Sequence, residues 1–151
     1  MSYFELFDLP VACDVKLNVL ETQYFKAQRE YHPDRFIGKP AEQRNAALQR
    51  SMDINQAYET LKDPLKRAQH ILSLQGIIVG TDKDSVKPAQ ELLMEIMELR
   101  ENEPAKEILE NLVANSQMVV AGFYEQSKFA EMAQEIIRLG YLRKILSEKR
   151  K

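Results

Sequence analysis

The chain has 151 residues, 44% hydrophobic and 29% charged, with a formal net charge of −2 at pH 7. That is apolar content for one domain or two small ones, with no overall pull toward nucleic acid or an anionic membrane. Its single cysteine, Cys13, excludes an internal disulfide and any cysteine-pair metal site and suits a reducing compartment. No apolar run approaches the roughly 20 residues that span a bilayer, and the first residues enter a folded pattern without the basic start of a leader. The expectation is a soluble, cytoplasmic protein, and an intact Met1 favours a bacterial cytoplasm over an organelle matrix.

Sustained apolar/polar alternation is missing, so the expected class is all-α. A short helix or turn covers 3–9 and stops at Pro10. A second helix covers 15–31, with Leu17, Leu20, Tyr24, Ala27 and Tyr31 at steps of three and four along one buried stripe. It ends near Tyr31 because Pro33 disfavours helical geometry at His32. After a polar loop with Gly38 and Pro40, a third helix covers 41–62 and a fourth runs from Pro64, well suited to a first turn, to Leu74. Gly76 ends it. Residues 76–87 read as a connector, with Ile77, Ile78 and Val79 arguing for a packed one that holds two modules, 1–75 and 88–151, at a fixed angle. Three further helices, 88–102, 105–126 and 129–148, are separated by Pro104 and by Gln126-Ser-Lys128. Such short connections favour antiparallel neighbours and a three-helix bundle. Phe123, Phe129, Met118 and Met132 are expected in its core, and Cys13 as a partly buried small side chain. Arg143, Lys144, Lys149, Arg150 and Lys151 read as solvated helix-end cations.

The tripeptide His32-Pro33-Asp34, between the second and third helices, carries the strongest chemistry. Asp34 has no second acid beside it, nor any nucleophile with a general base, so an enzyme built on His32 and Asp34 lacks its partners. His32 with His70 is a poor metal set. Pro33 does stiffen the loop, so that Asp34 projects a carboxylate suited to a partner's arginine or backbone donors. With Tyr24 at the origin and about 100° per residue, Lys26 falls at about 200° and Arg29 at about 140°. The buried stripe centres near 340°, so both cations face water.

On the helix at 88–102 the same wheel gives one compact stripe of Leu92, Ile96 and Leu99 and a second of Leu93, Met94 and Met97, bordered by Glu98 and Glu101. One apolar face suffices for a helix on a small bundle. Either both neighbours cover the second stripe, or part of it is exposed for a partner, a use to which methionine is suited.

The sequence Tyr31-His-Pro-Asp-Arg-Phe36, with Ile54-Asn-Gln-Ala-Tyr-Glu-Thr-Leu-Lys-Asp-Pro-Leu-Lys-Arg-Ala68 after it, resembles the J-domain. The Gly/Phe linker, cysteine zinc repeats and β-rich client region of common J-proteins are missing. With Tyr3-Phe-Glu-Leu-Phe at the start and Leu92-Leu-Met-Glu-Ile-Met-Glu-Leu-Arg-Glu101, the chain is similar to the HscB family of iron–sulfur cluster biogenesis. The resemblance implies a J-domain hairpin and a C-terminal three-helix bundle in an L-like arrangement. It implies docking on an HscA/DnaK-class ATPase through His32, Pro33 and Asp34, with Lys26, Arg29 and Arg35 as electrostatic contacts. It further implies binding of the scaffold IscU through Leu93, Met94, Met97, Glu98 and Glu101, joined by Tyr141 from the last helix. No cofactor, metal, nucleic acid or membrane is expected, the protein is not itself an enzyme, and it is expected to be a monomer. The alternative function keeps the J-domain and gives the bundle a different client.

Overall fold

The computed structural model describes residues 2–80 and 83–149. Among them there are seven α-helices and one 3-10 turn, with no strand. The chain divides into two compact units, Met1–Arg67 and Ala68–Lys151. Among the described residues, no helix is long and apolar enough to cross a membrane.

In the first unit, the Ser2 hydroxyl accepts from the Phe4 N–H at 3.2 Å and starts α1 (Tyr3–Leu6), which carries the buried Phe4. Phe7, buried just beyond it, leaves its carbonyl to the Gln23 side-chain amide, which donates at 2.8 Å. The helices α2 (Leu17–Tyr31) and α3 (Ala41–Leu61) pack on each other, and α1 packs on α3. The expected stripe of α2 holds at Leu20, which is buried, and at Tyr24, Ala27 and Tyr31, which are half-buried. Leu17 is exposed instead. Tyr24 stacks on Tyr58, so two antiparallel turns earlier Leu17 lies beyond Leu61, where α3 has already ended.

The fourth helix, α4 (Pro64–Ser73), begins at its proline and runs across the division between the units. It ends in a left-handed cap: Gly76 has φ 79°, its N–H donates to Ser73, and the Ile77 N–H donates to Leu72 at 3.1 Å. This pattern closes the last orphan carbonyls of a helix and favours glycine at the left-handed residue. Beyond it Ile77 and Val79 are half-buried, whereas Ile78 points outward and its carbonyl accepts from the Val86 N–H at 2.8 Å. The packing expected of all three apolar residues therefore holds for the outer two only.

In the second unit, α7 (Phe129–Lys149) is the spine, packed by both α5 (Gln90–Asn102) and α6 (Lys106–Glu125). It buries Met132, Ala133, Ile136, Leu139, Leu142, Ile145 and Leu146 at the spacing of one helical face. Ile96, Leu109, Ile145 and Leu146 form a common buried cluster, with Leu92, Leu99, Leu112, Val113 and Tyr141 packed against it. Met132 is buried and Phe123 and Phe129 are half-buried, but Met118 is 73% exposed, contrary to its expected place in the core. The buried face of α6 runs through Leu109, Ser116 and Val120. At about 100° per residue Met118 lies about 180° from Leu109, on the opposite side. Of the closing cations, Lys144 and Lys149 are exposed and Arg143 is half-buried, while Arg150 and Lys151 lie outside the described residues.

Candidate functional site

Pro33 organises the loop after α2. The residue before it, His32, is extended with φ −61° and ψ 135°, and residues Pro33–Phe36 form a 3-10 turn that spacing alone did not reveal. The His32 Nδ1 accepts from the Asp34 N–H at 3.1 Å, which requires Nδ1 to be unprotonated. The Arg35 N–H donates back to the His32 carbonyl at 2.9 Å. The Asp34 and Arg35 N–H groups are thereby satisfied within the turn, and the Asp34 side chain is left 81% exposed at the tip. It stands 3.6 Å from His32 Nδ1, too far for a hydrogen bond. Gly38, with φ 81°, turns the chain back toward α3.

Lys26 and Arg29 face water, as the helical wheel requires. Together with His32 and Arg35 they line one open cleft of about 770 Å³. Phe25, half exposed, supplies its apolar wall and was not singled out in the sequence. The signal was available: at about 100° from Tyr24 it lies next to Arg29 and well off the buried stripe. Glu30 also lines the cleft, so an acidic tip stands beside a surface that combines three cations and one acid with an aromatic face, chemistry that suits a partner of complementary charge.

In the second unit, Ile96 is buried under α5 and Leu92 and Leu99 are half-buried, so the first stripe is the packed one. The second stripe is open: Leu93 is 39% exposed, Met94 61% and Met97 63%, with Glu98 and Glu101 also exposed. The choice left open by the pattern is settled in favour of an uncovered face. Tyr141 is half-buried and packs against the cluster under α5.

Polar side chains from α7 hold α5 in place. The Gln134 amide oxygen accepts from the Ala89 N–H at 2.8 Å, and its nitrogen donates to the Lys87 carbonyl at 2.9 Å, pinning the start of the helix. Arg138 donates to Glu95 at 2.6 Å and to Glu135 at 3.2 Å, and Arg100 pairs with Glu148 at 2.9 Å. Burial works against the charge of Arg138, but the hydrogen bonds and charges of Glu95 and Glu135 outweigh it and push its pKa up. Glu135 also accepts from the buried Ser116 hydroxyl of α6 at 2.6 Å. None of these clamps was foreseen, because each joins residues far apart in sequence with no local spacing to mark them.

A family model described as the DnaJ domain matches residues 2–70. A curated relative, the co-chaperone protein HscB homolog of Vibrio cholerae, is 44% identical over 101 residues, which is 67% of this chain and 58% of that protein. The matched stretch thus spans less than two thirds of that relative's length. Among solved structures, chaperone HscB from Vibrio cholerae superposes with a TM-score of 0.84 at 32% identity, over 99% of this chain and 96% of that one. The crystal structure of human co-chaperone protein HscB also gives 0.84, at 26% identity, over 99% and 81%. The Jac1 co-chaperone from Saccharomyces cerevisiae gives 0.72 at 17% identity, over 100% and 98%, a likeness of fold alone.

Proposed function

The chain belongs to the HscB-type family of J-domain co-chaperones, and on that premise we propose that it couples an Hsp70-class ATPase to an iron–sulfur scaffold protein. Residues 1–75 act as the J-domain and 88–151 as the scaffold-binding bundle. His32, Pro33 and Asp34 form the trigger that stimulates ATP hydrolysis in an HscA/DnaK-class partner, with Lys26, Arg29 and Arg35 as its electrostatic contacts. Leu93, Met94 and Met97, rimmed by Glu98 and Glu101 and extended by Tyr141, receive an IscU-type scaffold. The ATP chemistry is the partner's; this chain contributes recognition, and its effect is to aid maturation of iron–sulfur proteins.

The observation that carries the reading is the Asp34 carboxylate, 81% exposed on a proline-stiffened turn next to a cleft shared by Lys26, Arg29 and Arg35. A carboxylate held without an internal ion pair of short distance keeps its full strength for a partner's arginine, where charge-assisted bonds are roughly twice as strong as neutral ones. Steady-state ATP hydrolysis by HscA, with and without this protein and IscU, is the test. Asp34→Asn, nearly the same size but uncharged, is expected to abolish stimulation while leaving IscU binding intact. Met94→Ala with Met97→Ala is expected to weaken IscU binding about tenfold or more, roughly 1.4 kcal/mol, and to leave stimulation without IscU unchanged. If either variant lost both functions while still folded, the division of labour between the two units would be wrong.

A further inference from the structure

We propose that Arg50 is a positioning residue for the His-Pro-Asp tip, acting through the ring of Tyr31; the inference rests on the co-chaperone reading above. Tyr31 is the last residue of α2 and directly precedes His32. The Arg50 guanidinium carbon lies 5.5 Å from the centroid of the Tyr31 ring, within range of a cation–π contact. Its Nε is buried without a hydrogen-bond partner. A cation kept half-buried in that state is poorly suited to roaming the surface in search of a partner protein, and its ring contact is the interaction that accounts for its place.

The contact is the last rung of a series that registers α2 against α3. Tyr24 stacks on Tyr58 at 4.1 Å, and its hydroxyl donates to the Asn55 side-chain oxygen at 2.7 Å. Gln28 donates to the same oxygen at 2.5 Å and accepts from the Ser51 hydroxyl at 3.2 Å. Arg50 on Tyr31 follows, one step from the tip. In α2 the fully buried side chain is Leu20, far from that end. Polar and aromatic contacts therefore help set where α2 stops relative to α3, alongside the direct packing of Pro33–Phe36 on α3, and with it the direction in which Asp34 points. Loss of the last rung leaves the tip held on α3 by the packing of Pro33–Phe36 alone and widens the range of directions it samples while the rest of the hairpin stays folded. A partner that binds one direction then meets a smaller competent fraction, and its apparent affinity falls by that fraction.

The test is a titration of this protein into HscA, reading the concentration for half-maximal ATPase stimulation and the plateau separately. Arg50→Met is expected to raise the half-maximal concentration about fivefold with the plateau unchanged, since once docked the trigger is intact. Arg50→Lys retains a cation over the ring and Tyr31→Phe retains the ring, so both are expected near the wild-type value. Tyr31→Leu is expected to match Arg50→Met, and the double variant Tyr31→Leu with Arg50→Met to be no worse than either alone. A wild-type half-maximal concentration for Arg50→Met overturns the inference. So does a double variant whose defects multiply, because Arg50 would then contact the chaperone itself. If the unaltered chain failed to stimulate at any concentration, the co-chaperone reading would fall first, an outcome distinct from both.

Discussion

Arg67 shows how one side chain ties distant segments of the first unit. Its Nε donates to the Leu61 carbonyl at 2.8 Å, where α3 ends, and its Nη1 donates to the Cys13 carbonyl at 2.6 Å, in the loop before α2. Burial pushes its pKa down, against the raising effect of Cys13, Asp14 and Asp63, yet a guanidinium stays charged throughout the working range. Arg67→Leu leaves two carbonyls without their donors and is expected to cost about 2–4 kcal/mol in urea unfolding. Arg67→Lys is expected to recover less than half of that, since a single ammonium cannot reproduce the fork. His70, three residues on, gives the molecule an acid-side liability. Burial holds its pKa below the ordinary 6.5, so as pH falls the unfolded chain takes the proton first. Stability attributable to this group is therefore complete above 6.5 and is lost as pH drops below that value toward the folded pKa. His70→Gln is expected to flatten the difference in urea midpoint between about pH 7.5 and pH 5.5; an unchanged slope would refute the assignment. Neither role was legible in the sequence, where His70 reads only as a poor metal ligand, because a partner such as the Cys13 carbonyl, 54 residues away, leaves no spacing to read.

At the scale of elements, proline and glycine did most of the marking. Pro33, Pro104 and Gly76 stand where a backbone rule forbids or ends a helix and Pro64 where one favours a first turn, and α2 to α7 begin and end within two residues of the expected positions. What escaped was conformational detail carried by ordinary residues. The turn from α6 to α7 closes with the Lys128 N–H donating to Phe123 at 2.9 Å and the Ser127 N–H to Tyr124 at 3.0 Å, the same pattern that Gly76 makes after α4. Here the left-handed residue is Ser127, with φ 55°. Ser127→Gly relieves that strain at an exposed site and is expected to stabilise the protein by about 0.5–1 kcal/mol by urea unfolding. The helix α5 divides its two stripes in the same measurement. Ile96→Ala, made in the buried cluster, is expected to cost about 2–4 kcal/mol. Met94→Ala with Met97→Ala, made on the open face, is expected to stay within about 0.5 kcal/mol per site. Equal costs for the two would mean that the methionines are covered and unavailable to a scaffold.

At the scale of the whole molecule, the two candidate surfaces sit in separate compact units of one chain, the trigger in Met1–Arg67 and the open methionine face in Ala68–Lys151. Covalent linkage has a consequence that neither surface has alone. Under the proposed function, a scaffold bound to the second unit would meet a chaperone bound to the first at an effective concentration in about the millimolar range for a short connection, so weak individual affinities would suffice. Within the second unit, Gln134 brackets Lys87 and Ala89 and so fixes the start of α5, the helix that carries the open methionine face. This makes the arrangement testable without cutting the chain. In an equimolar mixture of Asp34→Asn with the Met94→Ala, Met97→Ala variant, every needed surface is present but never on the same polypeptide. If linkage is what matters, the mixture is expected to show no more IscU-dependent stimulation of HscA than the methionine variant does by itself, at concentrations where the wild-type chain is fully active. Recovery toward the wild-type rate would mean that the two surfaces cooperate between chains, through self-association, and that the single-chain tether is not the source of the coupling.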